Sequence, residues 1–205
     1  MRDTVHRRSV GFFEEQFQRQ VRVKEYTLNP FETLALDYLK GEVLDLGSGL
    51  GNLSLEAGRK GHPVLAVDAS PTAVARINGD AGKEALPVRA IQADIESWAI
   101  DRPYDTIVAI GLLMFFRCER ARDLLCAIQE KVKPQGRAIV NVLIEGTTYL
   151  GMFDPDHYCL FRRKELEENF SGWNILESRY DTFSAPEGTR KEFATVIAEK
   201  PERKS

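Results

Sequence analysis

The residues with the clearest chemical potential form a glycine-rich loop, Gly47-Ser48-Gly49-Leu50-Gly51-Asn52, directly after the apolar run Val43–Leu46. A strand that leads into such a loop and then into a helix is the context in which a glycine loop binds a ligand. Glycine adopts positive φ angles easily and lets a ligand approach the backbone closely. The plain alternative is a tight β–α turn without a ligand, and the acids near the loop favour binding.

Two classes of cofactor compete for this loop, and Asp45 distinguishes them. A dinucleotide fingerprint requires G-x-G-x-x-G, but the sixth position counted from Gly47 is Asn52. A carboxylate just before the loop repels a pyrophosphate, which prefers amide donors and positive potential. The same carboxylate attracts a cation. The residues therefore favour S-adenosylmethionine, which carries a sulfonium and an ammonium against one carboxylate, over NAD.

Two further acids follow the next two apolar runs. Asp68 ends the second run, one strand–helix unit after Asp45, where an acid can accept two hydrogen bonds from a ribose diol. Ser70 and Pro71 are typical of a helix cap and first turn, and Asp68 can bind while Ser70 caps. Asp94 follows the third run and could meet an adenine amino group, or it could cap a loop. Because ligands of open α/β sheets bind beyond the carboxyl ends of strands, the three acids together predict one site.

The elements that must position these groups alternate regularly. Apolar spacing over residues 8–24 predicts an amphipathic leading helix, and Pro30 begins a second helix that extends to Leu39. The predicted strands are Val43–Leu46, Val64–Val67, Val88–Ala93, Thr106–Ile110 and Ala138–Leu143, with helices at 51–60, 70–79 and 119–133. These strands are apolar on both faces, as in a parallel sheet that helices cover on both sides. The pattern predicts an α/β, doubly wound sheet.

The end of the chain follows a different pattern. A helix-like segment, 163–170, precedes two strand-like runs, Trp173–Phe183 and Glu192–Glu199, which a short turn-rich segment joins. Because a parallel return needs a longer crossover, these strands are expected to pair antiparallel.

The predicted organisation is an N-terminal helical cap over residues 1–40 and an α/β domain over 41–200. Within that domain, the long insertion 145–161 is expected to act as a lid.

Length and composition exclude several classes of function. The 205 residues fit one elaborated domain, and 43% hydrophobic with 29% charged residues is ordinary globular usage. With a net charge of −3, the chain lacks the excess of basic residues that is typical of a nucleic-acid-binding protein. No apolar run has the length of a signal peptide or a membrane span. A cytoplasmic monomer or homodimer without nucleic-acid or membrane partners is expected.

The cysteines and histidines show no recognisable metal or disulfide pattern. Cys118, Cys126 and Cys159 are odd in number and lack CxxC spacing, which disfavours both a disulfide framework and a zinc site. Cys118 and Cys159 are interpreted as small buried hydrophobes. The histidines lie far apart, at positions 6, 62 and 157, so no metal is expected.

The motifs VLDLGSGLGN, VLAVDASPTAV, QADIE and YDTIVAIG resemble those of class I S-adenosylmethionine-dependent methyltransferases, over residues 41–143. The resemblance implies methyl transfer and a Rossmann-like, mostly parallel seven-stranded sheet with an antiparallel C-terminal strand. It places the methionine end of the cofactor at the glycine loop, the ribose at Asp68 and the adenine at Asp94. The predicted cofactor-binding set is Asp45, Gly47, Ser48, Gly49, Asn52, Asp68, Ala69, Ser70, Asp94, Ile95, Ile110 and Gly111.

A narrower resemblance concerns the acceptor. The segments GHPVLAVDAS, LLMFF, RKELEENFSGWNILE and EFATVIAEK are similar to the tellurite-resistance TehB-type methyltransferases. That branch often carries a His-Arg pair before its final strand, whereas here FSAPEGTR supplies only Arg190. The resemblance implies a small-molecule acceptor, with soft or anionic, tellurite-like chalcogen compounds as candidates.

Catalysis is expected to need few protein groups, because the sulfonium is already activated and the enzyme mainly aligns the nucleophile and excludes water. His157 and Tyr158 are candidate acid–base or orienting groups, and Arg190 could hold an anionic acceptor by paired hydrogen bonds. Each has a structural alternative: an ordinary loop residue for the first two, an exposed strand-end arginine for the third. Met114, Phe115 and Phe116 fit either a helix core or a wall beside the methyl group.

The insertion 145–161 has too many apolar groups for a purely solvated loop, so it is predicted to fold over the cofactor. These residues are Tyr149, Met152, Phe153, Tyr158 and Phe161. Two other functions remain open. One is a methyltransferase for a protein or larger metabolite, with the leading helix and lid as docking surface. The other is a non-catalytic S-adenosylmethionine-binding regulator without space for an acceptor.

Overall fold

The computed structural model describes residues 8–202. Residues 1–7, which belong to the predicted N-terminal cap and include His6, lie outside the described residues. The helices are α1 (Arg8–Val23), α2 (Pro30–Leu36), α3 (Asn52–Arg59), α4 (Pro71–Glu84), α5 (Cys118–Lys131) and α6 (Glu165–Asn169). The strands are β1 (Val43–Leu46), β2 (Val64–Asp68), β3 (Val88–Gln92), β4 (Tyr104–Ile110), β5 (Val132–Leu143), β6 (Asn174–Ser184) and β7 (Arg190–Glu199).

The seven strands form one sheet in the order β3-β2-β1-β4-β5-β7-β6. Strands β1 to β5 are parallel, and β7 runs antiparallel to both β5 and β6. This confirms the doubly wound sheet and the antiparallel C-terminal hairpin. The strand order reverses between β1 and β4, which is the switch point where open α/β sheets bind ligands.

Helices cover both faces of the sheet, as the two-sided apolar strands predict. One apolar cluster joins Leu44 and Ile107 to Leu125 of α5. The other joins the alternate residues of the strands, such as Val43 and Val108, to α3 and α4. Because side chains alternate across a strand, a strand between two helix layers must be apolar at nearly every position.

Element boundaries differ from the predicted ones in two informative places. Helix α4 continues past its predicted end at residue 79 to Glu84, because Gly79 lies within the helix and the turn that stops it comes at Ala85, which has a left-handed φ of 53°. Helix α2 ends at Leu36, short of the predicted Leu39, with Asp37 as its cap.

The prediction that disfavoured a disulfide is wrong. Cys118 and Cys159 form one, with their Cα atoms 4.7 Å apart, while Cys126 is free and exposed. The two cysteines are 41 residues apart in the chain, so their spacing carried no signal of proximity. The backbone N–H of Cys159 donates to the Met114 carbonyl at 3.0 Å, which brings the end of the 145–161 insertion to the start of α5.

Within residues 8–202, no helix combines the length and apolar composition needed to cross a membrane. In the same part of the chain, no group of three or more His, Cys, Asp or Glu side chains is placed to hold a metal ion.

Candidate cofactor and acceptor site

A cavity of about 490 Å³ opens at the carboxyl ends of the central strands. Its size falls within the range of small-molecule sites, which is roughly 300–1,000 Å³. Every one of the twelve residues in the predicted cofactor-binding set lines this cavity. The acids that end or follow three strands therefore meet at one place, as the sequence predicts.

The glycine loop after β1 is held in a backbone conformation that favours glycine. Gly47, Gly49 and Gly51 have φ angles of +66°, +52° and +74°. A Cβ on Gly51 would lie 2.3 Å from Cγ1 of Ile77, so the loop packs directly against α4. The N–H of Gly49 donates to Oδ2 of Asp68 at 2.8 Å, which ties the loop to the end of β2.

We expect Gly51→Ala to lower the free energy of unfolding through both backbone strain and a clash with Ile77. The matched control is Gly61→Ala, which shares the positive φ (+87°) but has no described heavy atom within 4 Å of the added Cβ. Overpacking typically costs about 1–3 kcal/mol, so Gly51→Ala should exceed the control by about 1 kcal/mol or more. Urea unfolding measures both variants, and equal losses would contradict the packing argument.

Asp45 is a carboxylic acid in an apolar strand, and it is only 5% exposed. Burial raises its pKa to about 7, and the hydrogen bond from Ser54 Oγ, at 2.6 Å, only partly opposes this. The nearby carboxylates of Glu32 and Asp68 raise the pKa further. A cation beside Asp45 would favour its ionised form, so cation binding is coupled to loss of its proton.

This coupling makes ligand affinity depend on pH. Because only ionised Asp45 attracts an ammonium group, affinity for S-adenosylhomocysteine should fall by up to about tenfold per pH unit below 7. In the Asp45→Asn variant, this fall in affinity below pH 7 should disappear. Titration calorimetry from pH 5.5 to 8 measures both proteins, and a wild-type affinity that is flat across this range would contradict the coupling.

The stability of the ligand-free protein should show the opposite trend. The folded-state pKa of Asp45 is raised above its unfolded value. The contribution of protonated Asp45 to the free energy of unfolding is therefore fully present below about pH 4, and it is lost as the pH rises through about 7.

Asp68 anchors the loops on both sides of β2. Its carboxylate accepts hydrogen bonds from the N–H of Gly49 at 2.8 Å and of Ser70 at 2.9 Å. Burial raises its pKa despite these bonds. Ser70 caps α4 by accepting from the N–H of Ala73, which confirms the predicted cap. Since Asp68 also lines the cavity, anchoring and ligand binding are compatible roles.

Asp94 shows the same combination at the end of β3. It lines the cavity, and its Oδ1 accepts from the N–H of Glu96 at 3.0 Å. Asp94 therefore caps the loop and also lines the cavity, and its contact with an adenine amino group stays a prediction.

The wall opposite the sheet is α1, and its cavity residues were not identified from the sequence. Glu14 fixes the helix in place by accepting hydrogen bonds from Ser70 Oγ and Thr72 Oγ1 on the α4 side. Burial raises the pKa of Glu14, but these bonds outweigh it and hold the pKa below its usual value. The helical spacing of apolar residues was the available signal. The α1 residues that line the cavity are Ser9, Val10, Phe13, Gln16, Phe17 and Gln20.

The segment after β4 contributes to both the core and the cavity wall. Met114 is buried in a cluster outside the lining of the cavity, whereas Phe115 lines the cavity. Phe116 is only 4% exposed and belongs to the core, and it also lines the cavity. The ring of Phe115 meets the ring of Phe13 edge-on, with centroids 5.1 Å apart. Helix α1 and this segment thus form a continuous aromatic wall.

The predicted lid lies elsewhere. None of residues 145–161, all of which the structure describes, lines the cavity. Phe153 packs behind Phe115 with ring centroids 5.1 Å apart, and Tyr158 stacks on Phe153 at 5.0 Å. The disulfide to Cys118 holds the insertion there. In this structure the insertion supports the aromatic wall from outside, and α1 takes the covering position.

The three predicted catalytic residues are also outside the lining of the cavity. His157 Nε2 lies 3.7 Å from a carboxylate oxygen of Glu96. Arg190 Nε lies 2.9 Å from a carboxylate oxygen of Glu192. Tyr158 belongs to the stack behind the wall. Their catalytic roles stay predictions that this arrangement does not support.

The residues present fit S-adenosylmethionine. Ser48 Oγ is buried at the cavity, and among the described residues it has no hydrogen-bond partner, so it is available to a ligand. Gly111 has a φ of +64°, and no described heavy atom lies within 4 Å of an added Cβ, which leaves open space beyond β4. Carboxylates, a hydroxyl and open glycine backbone match a ligand with an ammonium group and a diol.

Comparison with known proteins gives one family. The model of the family "Tellurite resistance protein TehB" matches residues 14–184. Hemagglutinin 1 of Eikenella corrodens is 29% identical over 169 residues, 78% of this chain and 55% of that protein. The mitochondrial ubiquinone biosynthesis O-methyltransferase of Schizosaccharomyces pombe is 31% identical over 105 residues, 50% of this chain and 38% of that protein. The chain therefore spans less than two thirds of the length of either relative.

Among solved structures, TehB from Haemophilus influenzae matches with a TM-score of 0.74 at 23% identity. The match covers 92% of this chain and 67% of that one, and it shows that the two share a fold.

Proposed function

The chain belongs to the family of the tellurite resistance protein TehB, and on that premise we propose that it transfers a methyl group from S-adenosylmethionine to a small-molecule acceptor. Its domain is that of a class I S-adenosylmethionine-dependent methyltransferase. The observation that carries the proposal is the meeting of Asp45, Asp68 and Asp94 with the glycine loop around one cavity.

Several groups that line the cavity have a defined task in this proposal. Bound S-adenosylmethionine supplies a methyl group already activated on a sulfonium. Asp68 accepts hydrogen bonds from the ribose hydroxyls, and Asp45 pairs with the ammonium group. The first N–H groups of α3 lack a side-chain cap at Gly51, so they are available to the carboxylate of the cofactor. Phe13 and Phe115 exclude water from the reacting atoms.

The position of helix α1 favours a small acceptor over a protein substrate. Six residues of α1 line the cavity, and Glu14 anchors the helix by accepting a hydrogen bond from Thr72 of α4. A macromolecular acceptor would require a different opening to the cavity. A purely regulatory role would require a cavity without space for an acceptor. A soft or anionic, tellurite-like acceptor, and a monomeric or homodimeric state, stay proposals at this level.

Titration calorimetry tests the cofactor half of the proposal. S-adenosylhomocysteine should bind with micromolar affinity, and NAD should give no heat at the same concentrations. The reason is that the carboxylate of Asp45 attracts an ammonium group and repels a pyrophosphate. Binding of NAD together with failure of S-adenosylhomocysteine to bind would overturn the proposal.

We also propose a cytoplasmic location, and the Cys118–Cys159 disulfide provides its test. Disulfides persist in oxidising compartments and are rare in the reducing cytosol. Because Cys159 is only 1% exposed, cells are lysed directly into acid and the thiols are alkylated after denaturation without reductant. Mass spectrometry should find both cysteines alkylated if the protein is cytoplasmic. Complete absence of alkylation at both, with alkylation restored by a reductant, would indicate an oxidising compartment instead.

A further inference from the structure

We propose that the methyl acceptor is an uncharged compound that becomes a cation when methylated, not an oxyanion. Its reacting atom carries a lone pair and is weakly solvated, as in a neutral chalcogenide or a neutral heterocyclic amine. This inference rests on the proposed function and specifies the substrate class of the same cavity.

The charges around the cavity disfavour an anionic acceptor. Four carboxylic acids line it: Glu32, Asp45, Asp68 and Asp94. Among the lining residues that the structure describes there is no lysine, arginine or histidine. Bound S-adenosylmethionine contributes only one net positive charge, so the surroundings stay negative or near neutral.

Two arginines donate hydrogen bonds to backbone carbonyls of lining residues. The Arg76 guanidinium donates to the carbonyl of Leu50, and that of Arg120 donates to the carbonyl of Ile95. Neither arginine lines the cavity. Arg190, the predicted holder of an anion, is paired with Glu192 outside the cavity. An oxyanion that left water would find no paired donors among these groups.

The aromatic wall favours a cation. Phe13, Phe17, Phe115 and Phe116 all line the cavity, and the rings of Phe13 and Phe17 lie 5.8 Å apart. The face of an aromatic ring attracts a cation, most strongly where water is excluded. Rings on one side and carboxylates on the other stabilise positive charge on whichever atom carries it.

The reaction with an uncharged acceptor conserves that positive charge. The lone pair of the acceptor atom attacks the methyl carbon, and a bond from that atom to carbon forms as the carbon–sulfur bond breaks. The bonding pair returns to the sulfur, which becomes a neutral thioether, and the acceptor atom takes the positive charge. No proton, oxidant or general base is needed. In transfer to an anion the charges would cancel, and a negative, aromatic site would give no stabilisation to the product.

Binding to the protein saturated with S-adenosylhomocysteine separates the classes of acceptor. The probes are trimethylselenonium as a product-like cation, dimethyl selenide and isoquinoline as uncharged acceptors, and tellurite and selenite as oxyanions. We expect the cation and at least one uncharged probe to bind, whereas the oxyanions should show no binding at ten times higher concentration. With S-adenosylmethionine, mass spectrometry should detect the methylated cation of a probe that binds, and this product identifies the reacting element.

A pair of variants tests the contribution of the rings. Phe13→Leu removes a ring from the cavity wall, whereas Phe183→Leu removes an exposed ring outside the lining. Phe13→Leu should weaken trimethylselenonium binding about threefold to tenfold, and Phe183→Leu should leave it unchanged. S-adenosylhomocysteine binding verifies that both variants retain the site.

The outcomes distinguish this inference from the proposed function. Tight binding of tellurite or selenite with no binding of the cation or the uncharged probes overturns the inference and leaves methyl transfer standing. Equal weakening by both variants overturns the role of the rings. Failure of S-adenosylhomocysteine to bind at all overturns the proposed function itself.

Discussion

Replacement of Cys118 and Cys159 by serine is expected to lower the free energy of unfolding by about 4 kcal/mol, from the loop-closure entropy of a 41-residue separation. The cross-link restricts the unfolded chain. It also holds the 145–161 insertion against the segment that carries Phe115, so its loss frees a packed surface. Urea unfolding under oxidising conditions measures the change, and the wild type with a dithiol reductant should reproduce it.

Cys126→Ser is the matched control for this experiment, because Cys126 is free and exposed. It should change the unfolding free energy by less than about 0.5 kcal/mol. If the double variant were as stable as this control, or if reduction had no effect on the wild type, the two cysteines would not be cross-linked in solution.

The second large effect is expected from Asp68→Ala, which should weaken S-adenosylhomocysteine binding about 150-fold or more. Two hydrogen bonds from the ribose diol would be lost, each worth about 1.5–3 kcal/mol to a charged acceptor. The loop would loosen as well, since the N–H groups of Gly49 and Ser70 lose their acceptor. Titration calorimetry measures the affinity.

Two variants make this experiment specific. Asp123→Ala removes an exposed carboxylate on α5, outside the lining of the cavity, and should leave affinity unchanged. Asp68→Asn keeps one oxygen acceptor and should fall between wild type and Asp68→Ala. An Asp68→Ala protein that binds as tightly as wild type would reduce Asp68 to a loop anchor.

The cofactor side of the cavity was predictable because its signals are local. Each acid follows its own strand, and the carboxyl ends of parallel strands lie at one edge of a sheet. Asp45, Asp68 and Asp94 therefore had to come together once the sheet was recognised. The loop glycines were identifiable for the same reason, since a positive φ between strand and helix is a local requirement.

The cover of the cavity was not predictable, because it depends on contacts between distant segments. The hydrogen bonds from Ser70 and Thr72 to Glu14 place α1 over the cavity, and no spacing in the sequence encodes that contact. The apolar insertion correctly indicated a buried segment, with Phe153 only 2% exposed. The insertion packs against the outer side of the aromatic wall, at Phe115. This contact depends on the disulfide and on the fold, which the spacing of residues in the sequence does not show.

A crystal structure of the protein with S-adenosylhomocysteine tests the central claim most directly. The account predicts that the ligand occupies the cavity beneath α1, with the Asp68 carboxylate within hydrogen-bond distance of both ribose hydroxyls and Asp45 beside the ammonium group. It also predicts that the ligand's sulfur lies toward Phe13 and Phe115, with open space beyond it for the acceptor. A ligand bound outside this cavity, or one whose ribose makes no contact with Asp68, would contradict the account.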